Sequence, residues 1–255
     1  MKKIISTSHE QKLNATITGL CFITATVAAI IGLKLYDPII YEVDFLSAAA
    51  SHSNQIVLGA VFELVLVCAI VGTGIMLFPH LQKVNESLGL GYVCFRLLEV
   101  VFIVIGIVSM LSIVALSHEY VNPTGVDASS LQANARILKT IHGWAFILGP
   151  HFMLGINTFI YSSLFYRSEL VPRKLAVLGM TGAVLILTVS ILEMFSVIST
   201  FSVFVVVMAI PIAVYEMVLA GWLIAKGFKA PPVASAPMLN LFQLAAEKAT
   251  GKEPV

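Results

Sequence analysis

Six runs of about twenty or more apolar residues divide this chain, and they restrict what it can fold into. A helix of about twenty residues crosses a hydrocarbon core of about 30 Å. The composition agrees, because 58% of the residues are hydrophobic and 11% are charged. We therefore predict an all-α integral membrane protein built as a six-helix transmembrane bundle. The predicted spans are about 13–33, 56–78, 89–117, 141–165, 175–198 and 202–225.

Several classes of protein are disfavoured by composition and spacing. The formal net charge of +1 and the lack of a basic stripe argue against nucleic-acid binding. Cys21, Cys68 and Cys94 lie inside apolar runs and form no Cys-x-x-Cys pair, so we expect packing residues rather than disulfides. The chain shows neither a Gly-x-Ser-x-Gly elbow nor a His-Glu-x-x-His motif. We expect no metal and no cofactor.

Lysines and arginines predict the orientation, because loops that remain in the cytoplasm retain them. One side of the predicted bundle holds Lys2, Lys3, Lys12, Lys83, Arg167, Arg173, Lys174, Lys226, Lys229, Lys248 and Lys252. The other side holds Lys34, Arg136 and Lys139. Both termini are therefore predicted to be cytoplasmic. The predicted parts are a cytoplasmic N-terminus at 1–12, a transmembrane domain at 13–227 and a flexible cytoplasmic tail at 228–255.

Charged side chains inside the spans are the first candidates for a functional site. A charge at mid-bilayer depth costs about 2.5–3.5 kcal/mol, so it normally faces a partner, a cavity or a site. Counted at 1.5 Å per residue, Arg96, Glu99 and Glu216 lie about 10–15 Å above the cytoplasmic boundary. Arg96 either pairs with Glu99 or Glu216 and holds helices together, or presents its donors to an anionic ligand. Both interpretations stay open here.

A second layer contains Glu63 and His151, at about 21–22 Å by the same count. Because histidine titrates near neutral pH, the two could form a proton-exchanging pair. The alternative is a neutral, hydrogen-bonded histidine beside a protonated or paired acid. Pro150 precedes His151, and Pro211 lies at a similar depth, so both helices are expected to kink around a cavity.

The spacing of the histidines indicates whether the protein could bind haem. His142 falls near the outer surface, and it lies nine residues before His151. Nine residues turn an α-helix by about 180°, so the two histidines should point apart and cannot share a metal. A pair of histidines from different helices is not required by anything in the spacing.

Four phrases of the sequence resemble one known family. They are Cys-Phe-Arg-Leu-Leu-Glu at 94–99, His142-Gly143, Arg-Ser-Glu-Leu-Val-Pro-Arg-Lys-Leu-Ala-Val-Leu-Gly at 167–179, and Glu216 with Gly-Trp-Leu-Ile-Ala-Lys-Gly at 221–227. The family is the bacterial membrane-protein family called domain of unknown function 4386, and the similarity runs from about residue 15 to 227. It implies a compact multi-helix domain in a bacterial inner membrane, with no established activity. The matching positions are Arg96, Glu99, His142, Pro172, Arg173 and Glu216.

The leading functional hypothesis is binding or transport of a small solute, ion or lipid through a polar intramembrane site. The alternative is a structural or regulatory membrane subunit, in which the same charges lock helices together. A membrane enzyme acting on lipid or quinone would rest on the two histidines alone. Membrane lipids and a small molecule are the expected partners, and a second copy or partner subunit stays open. The candidate site residues are Arg96, Glu99, Glu216, Glu63, His142 and His151.

Overall fold

The computed structural model describes residues 2–122, 125 and 127–229. This part of the chain is helical and contains no β-strand. Six of its helices are long and apolar enough to cross a membrane, which confirms the predicted fold class. The elements are α1 (Lys2–Leu35), α2 (Asp37–Ile40), α3 (Phe45–Ser51), α4 (Ser53–Leu81), α5 (Glu86–Val121), α6 (Ala128–Phe146), a π-helical segment (Ile147–Met153), α7 (Leu154–Ser168), α8 (Arg173–Met194) and α9 (Val203–Lys226).

Polar caps and special backbone positions set the ends of the spans. Asn85 caps α5, because its side chain accepts a hydrogen bond from the Leu88 backbone N–H at 2.9 Å. Glu169 ends α7 in the left-handed conformation, with φ of 55°, and Pro172 directly precedes α8. Helix α9 ends at Gly227, whose φ is 73°. Each end therefore lies where local chemistry interrupts the helical hydrogen bonds.

Two segments predicted as polar connections are largely helical. The first, near 34–55, contains α2 and α3, and the second, 118–140, is mostly covered by the last turn of α5 and by α6. The helical stretch that contains the predicted fourth span therefore begins at Ala128 and runs to Ser168. The first half of α6 is amphipathic, with Leu131 and Ala135 buried between exposed polar residues. A search for continuous apolar runs misses a helix of this kind.

The six spans form a closed ring. Helix α1 packs against α4 and α9, α4 against α5, α5 against α6, the π-helical segment and α7, α7 against α8, and α8 against α9. Small residues let the backbones approach, since an added Cβ at Gly19 would lie 2.7 Å from the Ala220 carbonyl oxygen. Such a ring encloses a central space between its helices.

The two ends of the ring are named after the predicted orientation. The inner end carries the connections at 82–85 and 169–172, and the outer end carries those at 36–52 and 195–202. The core at the inner end is aromatic, with Tyr92, Tyr161, Tyr215, Phe22 and Phe165 fully buried. This layer fills the ring toward the inner end, so open space remains in the middle and toward the outer end. Residues 230–255, which include most of the predicted tail, lie outside the described residues.

Candidate functional site

A cavity of about 290 Å³ lies inside the ring, and we call it the central cavity. Five of the six candidate residues line it together: Glu63, Arg96, Glu99, His151 and Glu216. They come from α4, α5, the π-helical segment and α9. The rest of the wall is mainly apolar, with several alanines, leucines and isoleucines from α1, α5, α8 and α9. The fold therefore gathers residues from distant parts of the sequence around one intramembrane space.

Arg96 is paired with Glu99, which is one of the two pairings that the sequence allows. Its Nη1 donates to Glu99 Oε2 at 2.8 Å, and both residues are 3% exposed. The same carboxylate oxygen accepts a second bond from Asn157 Nδ2 at 2.6 Å. The Arg96 guanidinium also lies over the Phe22 ring, 5.8 Å from its centroid. Asn157 on α7 thus joins an ion pair on α5 and links the two helices.

Glu216 lines the central cavity from α9 without forming an ion pair with Arg96 in the described part of the chain. It is half-buried, and its carboxyl group interacts electrostatically with the Arg96 guanidinium at longer range. Counted as ionised groups, the cavity wall carries three carboxylates and one guanidinium. The Arg96–Glu99 pair balances one of each, so the surplus charge of the wall is acidic.

Direct pairing of Glu63 with His151, one of the two interpretations that the sequence left open, is wrong. Both residues line the central cavity, but Glu63 Oε2 accepts a hydrogen bond from the Tyr36 hydroxyl at 3.0 Å. Tyr36 is fully buried just after the end of α1. Gly32 makes this possible, because a Cβ there would lie 2.9 Å from Glu63 Cγ. Close packing of α1 against α4 therefore decides the partner of Glu63.

His151 pairs instead with Glu193 on α8. Its Nδ1 lies 2.7 Å from Glu193 Oε2, and the Glu193 side chain is fully buried. The π-helical segment presents His151 to this partner, and the Leu154 N–H bonds the Gly149 carbonyl five residues back. Gly149 allows the segment to touch α5, because a Cβ there would lie 2.8 Å from Phe102 Cβ. The proline-associated distortion expected here is thus a wider helical turn.

His142 is the one candidate that does not line the central cavity. It is buried, and its Nδ1 donates to the Gly106 carbonyl at 3.4 Å. Its Nε2 has no hydrogen-bond partner among the described residues. A cavity of about 10 Å³, close to the volume needed for one water, is lined by both His142 and Glu63. This places His142 beside the central site.

The expectation that His142 and His151 point to opposite sides of their helix is also wrong. The Phe146 ring lies between them, 6.5 Å from His142 and 4.8 Å from His151 by ring centroids. The estimate of about 180° assumed α-helical turns throughout. Because the π-helical segment has more residues per turn, it rotates His151 back toward the face of Phe146.

Sequence reasoning missed two residues of the site, Tyr36 and Asn157. Asn157 lies within the predicted fourth span, where an amide needs a hydrogen-bond partner, and that signal was available. Tyr36 has no such signal, because a tyrosine at the end of a span is also typical of the membrane interface.

Two of the residues that line the central cavity are exposed. They are Ile30 on α1, which is 65% exposed, and Ala213 on α9. Neighbouring residues on the same faces, such as Val206 and Val214, are exposed and apolar. The exposed surface next to these lining residues is therefore apolar.

Metal ligation has no geometric basis in the ranges that the structure covers. No group of three or more His, Cys, Asp or Glu side chains is placed there to hold a metal ion. What the site offers is a set of ionisable groups in an apolar wall.

A ring of six helices that are long and apolar enough to cross a membrane, around a cavity lined in part by charged side chains, indicates a multi-pass membrane protein. The chain belongs to the family described as Domain of unknown function (DUF4386), whose model matches residues 17–227. The suspected resemblance is thereby confirmed, and the matched region begins within α1 and continues past the end of α9. No curated protein and no solved structure matches the chain.

Proposed function

We propose that the protein binds or transports a small, membrane-soluble molecule that carries a basic nitrogen. The observation that carries this proposal is the central cavity, where an acidic surplus is set in an otherwise apolar wall. Charged groups inside a membrane are costly to bury, and they commonly mark ligand or ion pathways.

The charge of the ligand follows from the pairing of Arg96. Because Glu99 already accepts its Nη1 at 2.8 Å, the guanidinium is largely balanced and is poorly placed to hold an anion. Glu63 and Glu216 remain as carboxyl groups on the cavity wall. An ammonium group complements them, and a second anion would add like charge.

The size and solubility of the ligand follow from the wall and the opening. A volume of about 290 Å³ is near the lower end of ligand pockets, which are about 300–1,000 Å³. The exposure of Ile30 and Ala213, which line the cavity, supports an opening on the lipid-facing side of the ring. A small amphiphile dissolved in the bilayer can reach such a cavity without crossing the aromatic layer at the inner end.

We further propose that the protein resides in a bacterial inner membrane with both termini in the cytoplasm. The distribution of lysine and arginine supports the orientation, and the family resemblance supports the bacterial source.

A structural or regulatory subunit is the second candidate, and one observation favours it. The Arg96–Glu99 pair and its bond to Asn157 tie α5 to α7, a role that needs no ligand. In that case the cavity charges would hold helices, and a partner protein would contact the outside of the ring.

The test uses three eight-carbon probes, octylamine, octanol and octanoate, which share a tail and differ in the charge of the head group. The protein is placed in uncharged phosphatidylcholine nanodiscs, and its thermal unfolding is followed by the fluorescence of Trp144 and Trp222. Octylamine should raise the unfolding temperature, since a ligand at a hundredfold excess over Kd stabilises by about 2.7 kcal/mol. Octanol and octanoate should raise it far less.

Variants assign the effect to the cavity. Glu216→Gln removes a carboxylate from the wall and should weaken octylamine binding about tenfold, corresponding to about 1.4 kcal/mol. Glu42→Gln changes an exposed glutamate in the outer connection and should leave binding unchanged. Equal stabilisation by octanoate would contradict the proposed ligand charge. If no probe binds, and native mass spectrometry of protein from its own membrane shows only bare chain, the structural role gains support.

A further inference from the structure

The pair of His151 and Glu193 lies between two cavities. His151 lines the central cavity, and Glu193 lines a second cavity of about 480 Å³ at the outer end, which we call the outer cavity. The outer cavity is bounded by residues of α6 and by the connection between α8 and α9. The two cavities share no lining residue, and the 2.7 Å bond between His151 Nδ1 and Glu193 Oε2 joins them.

One oxygen of the Glu193 carboxyl group can still form a hydrogen bond. Its Oε2 bonds to His151, while its Oε1 is buried without a hydrogen-bond partner among the described residues. Buried polar atoms are nearly always partnered, because leaving one unpaired costs about 1–3 kcal/mol. An unpartnered buried oxygen requires an explanation, and histidine is a common proton shuttle, so a role in proton exchange would account for both groups.

We propose that this pair passes protons between the outer cavity and the central cavity. Glu193 takes a proton from water in the outer cavity and becomes neutral. His151 starts as the tautomer that carries its hydrogen on Nε2, so its Nδ1 accepts the proton of Glu193, which leaves a carboxylate and an imidazolium. The imidazolium releases its Nε2 proton to a carboxylate of the central cavity, and the histidine ends neutral with its Nδ1–H donating to Glu193. One proton moves in each pass, no electron is transferred, and the imidazole must return to the Nε2–H tautomer before a second proton can follow.

The surroundings of the pair define where the proton goes. The charged and titratable groups that face His151 across the central cavity are Glu63 on α4, Arg96 and Glu99 on α5, and Glu216 on α9. Since Glu99 is held by Arg96, the acceptors are Glu63 and Glu216. Around the outer cavity, Glu193 is the titratable group of the described lining, and the other polar lining residues carry hydroxyl groups.

A proton delivered in this way would compete with a basic ligand for the same carboxylates. This coupling rests on the proposed function, whereas the proton path rests only on the geometry of the two cavities. The path can therefore be tested with no ligand present, and its failure is distinguishable from a failure of ligand binding.

The experiment measures charge displacement after a pH step. Proteoliposomes of the full chain are adsorbed on a solid-supported membrane, and the bath is stepped from about pH 8 to about pH 6, which spans the ordinary titration range of histidine. Protons are the probe. The wild-type protein should give a rapid transient current as protons enter the central cavity.

Two variants interrupt the path at different points. Glu193→Gln keeps a hydrogen-bonding side chain that carries no proton, so the transient should slow at least about a hundredfold. Gly143→Leu fills the outer cavity, because a Cβ at Gly143 meets open space and Gly143 lines that cavity. It should also slow the transient while leaving the pair intact. Glu86→Gln, an exposed change at the inner end, is the control.

A transient that is lost in Glu193→Gln and Gly143→Leu, and kept in Glu86→Gln, supports the proton path. A purely structural pair would lower the unfolding temperature of Glu193→Gln and leave the transient at its wild-type rate, which would overturn the proposal. Absence of a transient in the wild type would overturn it as well. If Glu193→Gln does not fold, Gly143→Leu decides the outcome alone.

Discussion

At the scale of single residues, Arg96 is a charged side chain that the fold must bury together with a compensating charge. It is almost fully buried in the bundle, and its charge is matched by Glu99, with Asn157 bonded to the same carboxylate oxygen. A buried charge left without its partner is far less favourable than the pair itself. The stability of the ring therefore depends on keeping the two charges together.

Replacing Arg96 with methionine should lower the free energy of unfolding by about 3–5 kcal/mol, because Glu99 would be buried without its cation. The double variant Arg96→Met with Glu99→Gln should recover part of that loss, since glutamine still accepts from Asn157 and carries no charge. Reversible unfolding in mixed detergent micelles measures both. A double variant that is less stable than the single variant would show that the unpaired Glu99 charge does not cause the loss of stability.

The i+3 spacing made the Arg96–Glu99 pair predictable, because both residues lie on one face of one helix. Asn157 and Tyr36 were not predictable as partners. Each meets its carboxylate across a helix interface, and the register of such an interface is set by packing at residues such as Gly32 and Gly149. A single sequence contains no direct record of that register.

At the scale of the helix, the π-helical segment from Ile147 to Met153 determines which groups meet. It turns His151 toward Glu193 and brings the His151 ring into an edge-to-face contact with Phe146. Pro150 lies inside it and contributes no backbone N–H. The sequence showed that the helix would be distorted at this proline, but the choice of a wide turn over a kink depends on contact with α5.

Two glycines of this continuous helix should respond to alanine in opposite ways. Gly149→Ala should destabilise the protein by about 1–3 kcal/mol, because the new Cβ would lie 2.8 Å from Phe102 Cβ and push the segment from α5. Gly143→Ala meets open space and should be neutral or stabilising by up to about 1 kcal/mol. Thermal unfolding of the two variants side by side checks this.

If both variants lose the same stability, the contact of the π-helical segment with α5 is not what the glycine preserves. Thermal unfolding of Glu216→Gln serves as a reference measurement, because this variant changes the wall of the central cavity on α9 and leaves the π-helical segment unchanged.

At the scale of the whole molecule, the apolar runs were enough to predict six spans, and the helical extension of α6 was not visible to them. A helix that is surrounded by lipid needs a long apolar segment, so each span can be recognised in the sequence without reference to the other spans. The amphipathic start of α6 is stabilised by burial of Leu131 and Ala135 against other parts of the fold. The ring and its cavity depend on such contacts between elements.

The orientation of the ring is open to a direct check. Cysteine placed at Glu42 should react with a membrane-impermeant maleimide in intact cells, because this residue is exposed in the outer connection. Cysteine placed at Lys83, exposed at the inner end, should react only after the membrane is permeabilised. A background with Cys21, Cys68 and Cys94 replaced by alanine or serine gives the control. The reverse pattern would place the termini outside the cytoplasm.

The proposed opening beside Ile30 and Ala213 would determine which ligand concentration fills the cavity, the one in the lipid or the one in water. A cavity that communicates with the hydrocarbon fills according to how much ligand has dissolved in the lipid, not according to how much is free in water. Two ligands with equal contacts to Glu216 would then differ in apparent potency by the ratio of their partition coefficients. The composition of the surrounding bilayer would in this way act as part of the binding equilibrium.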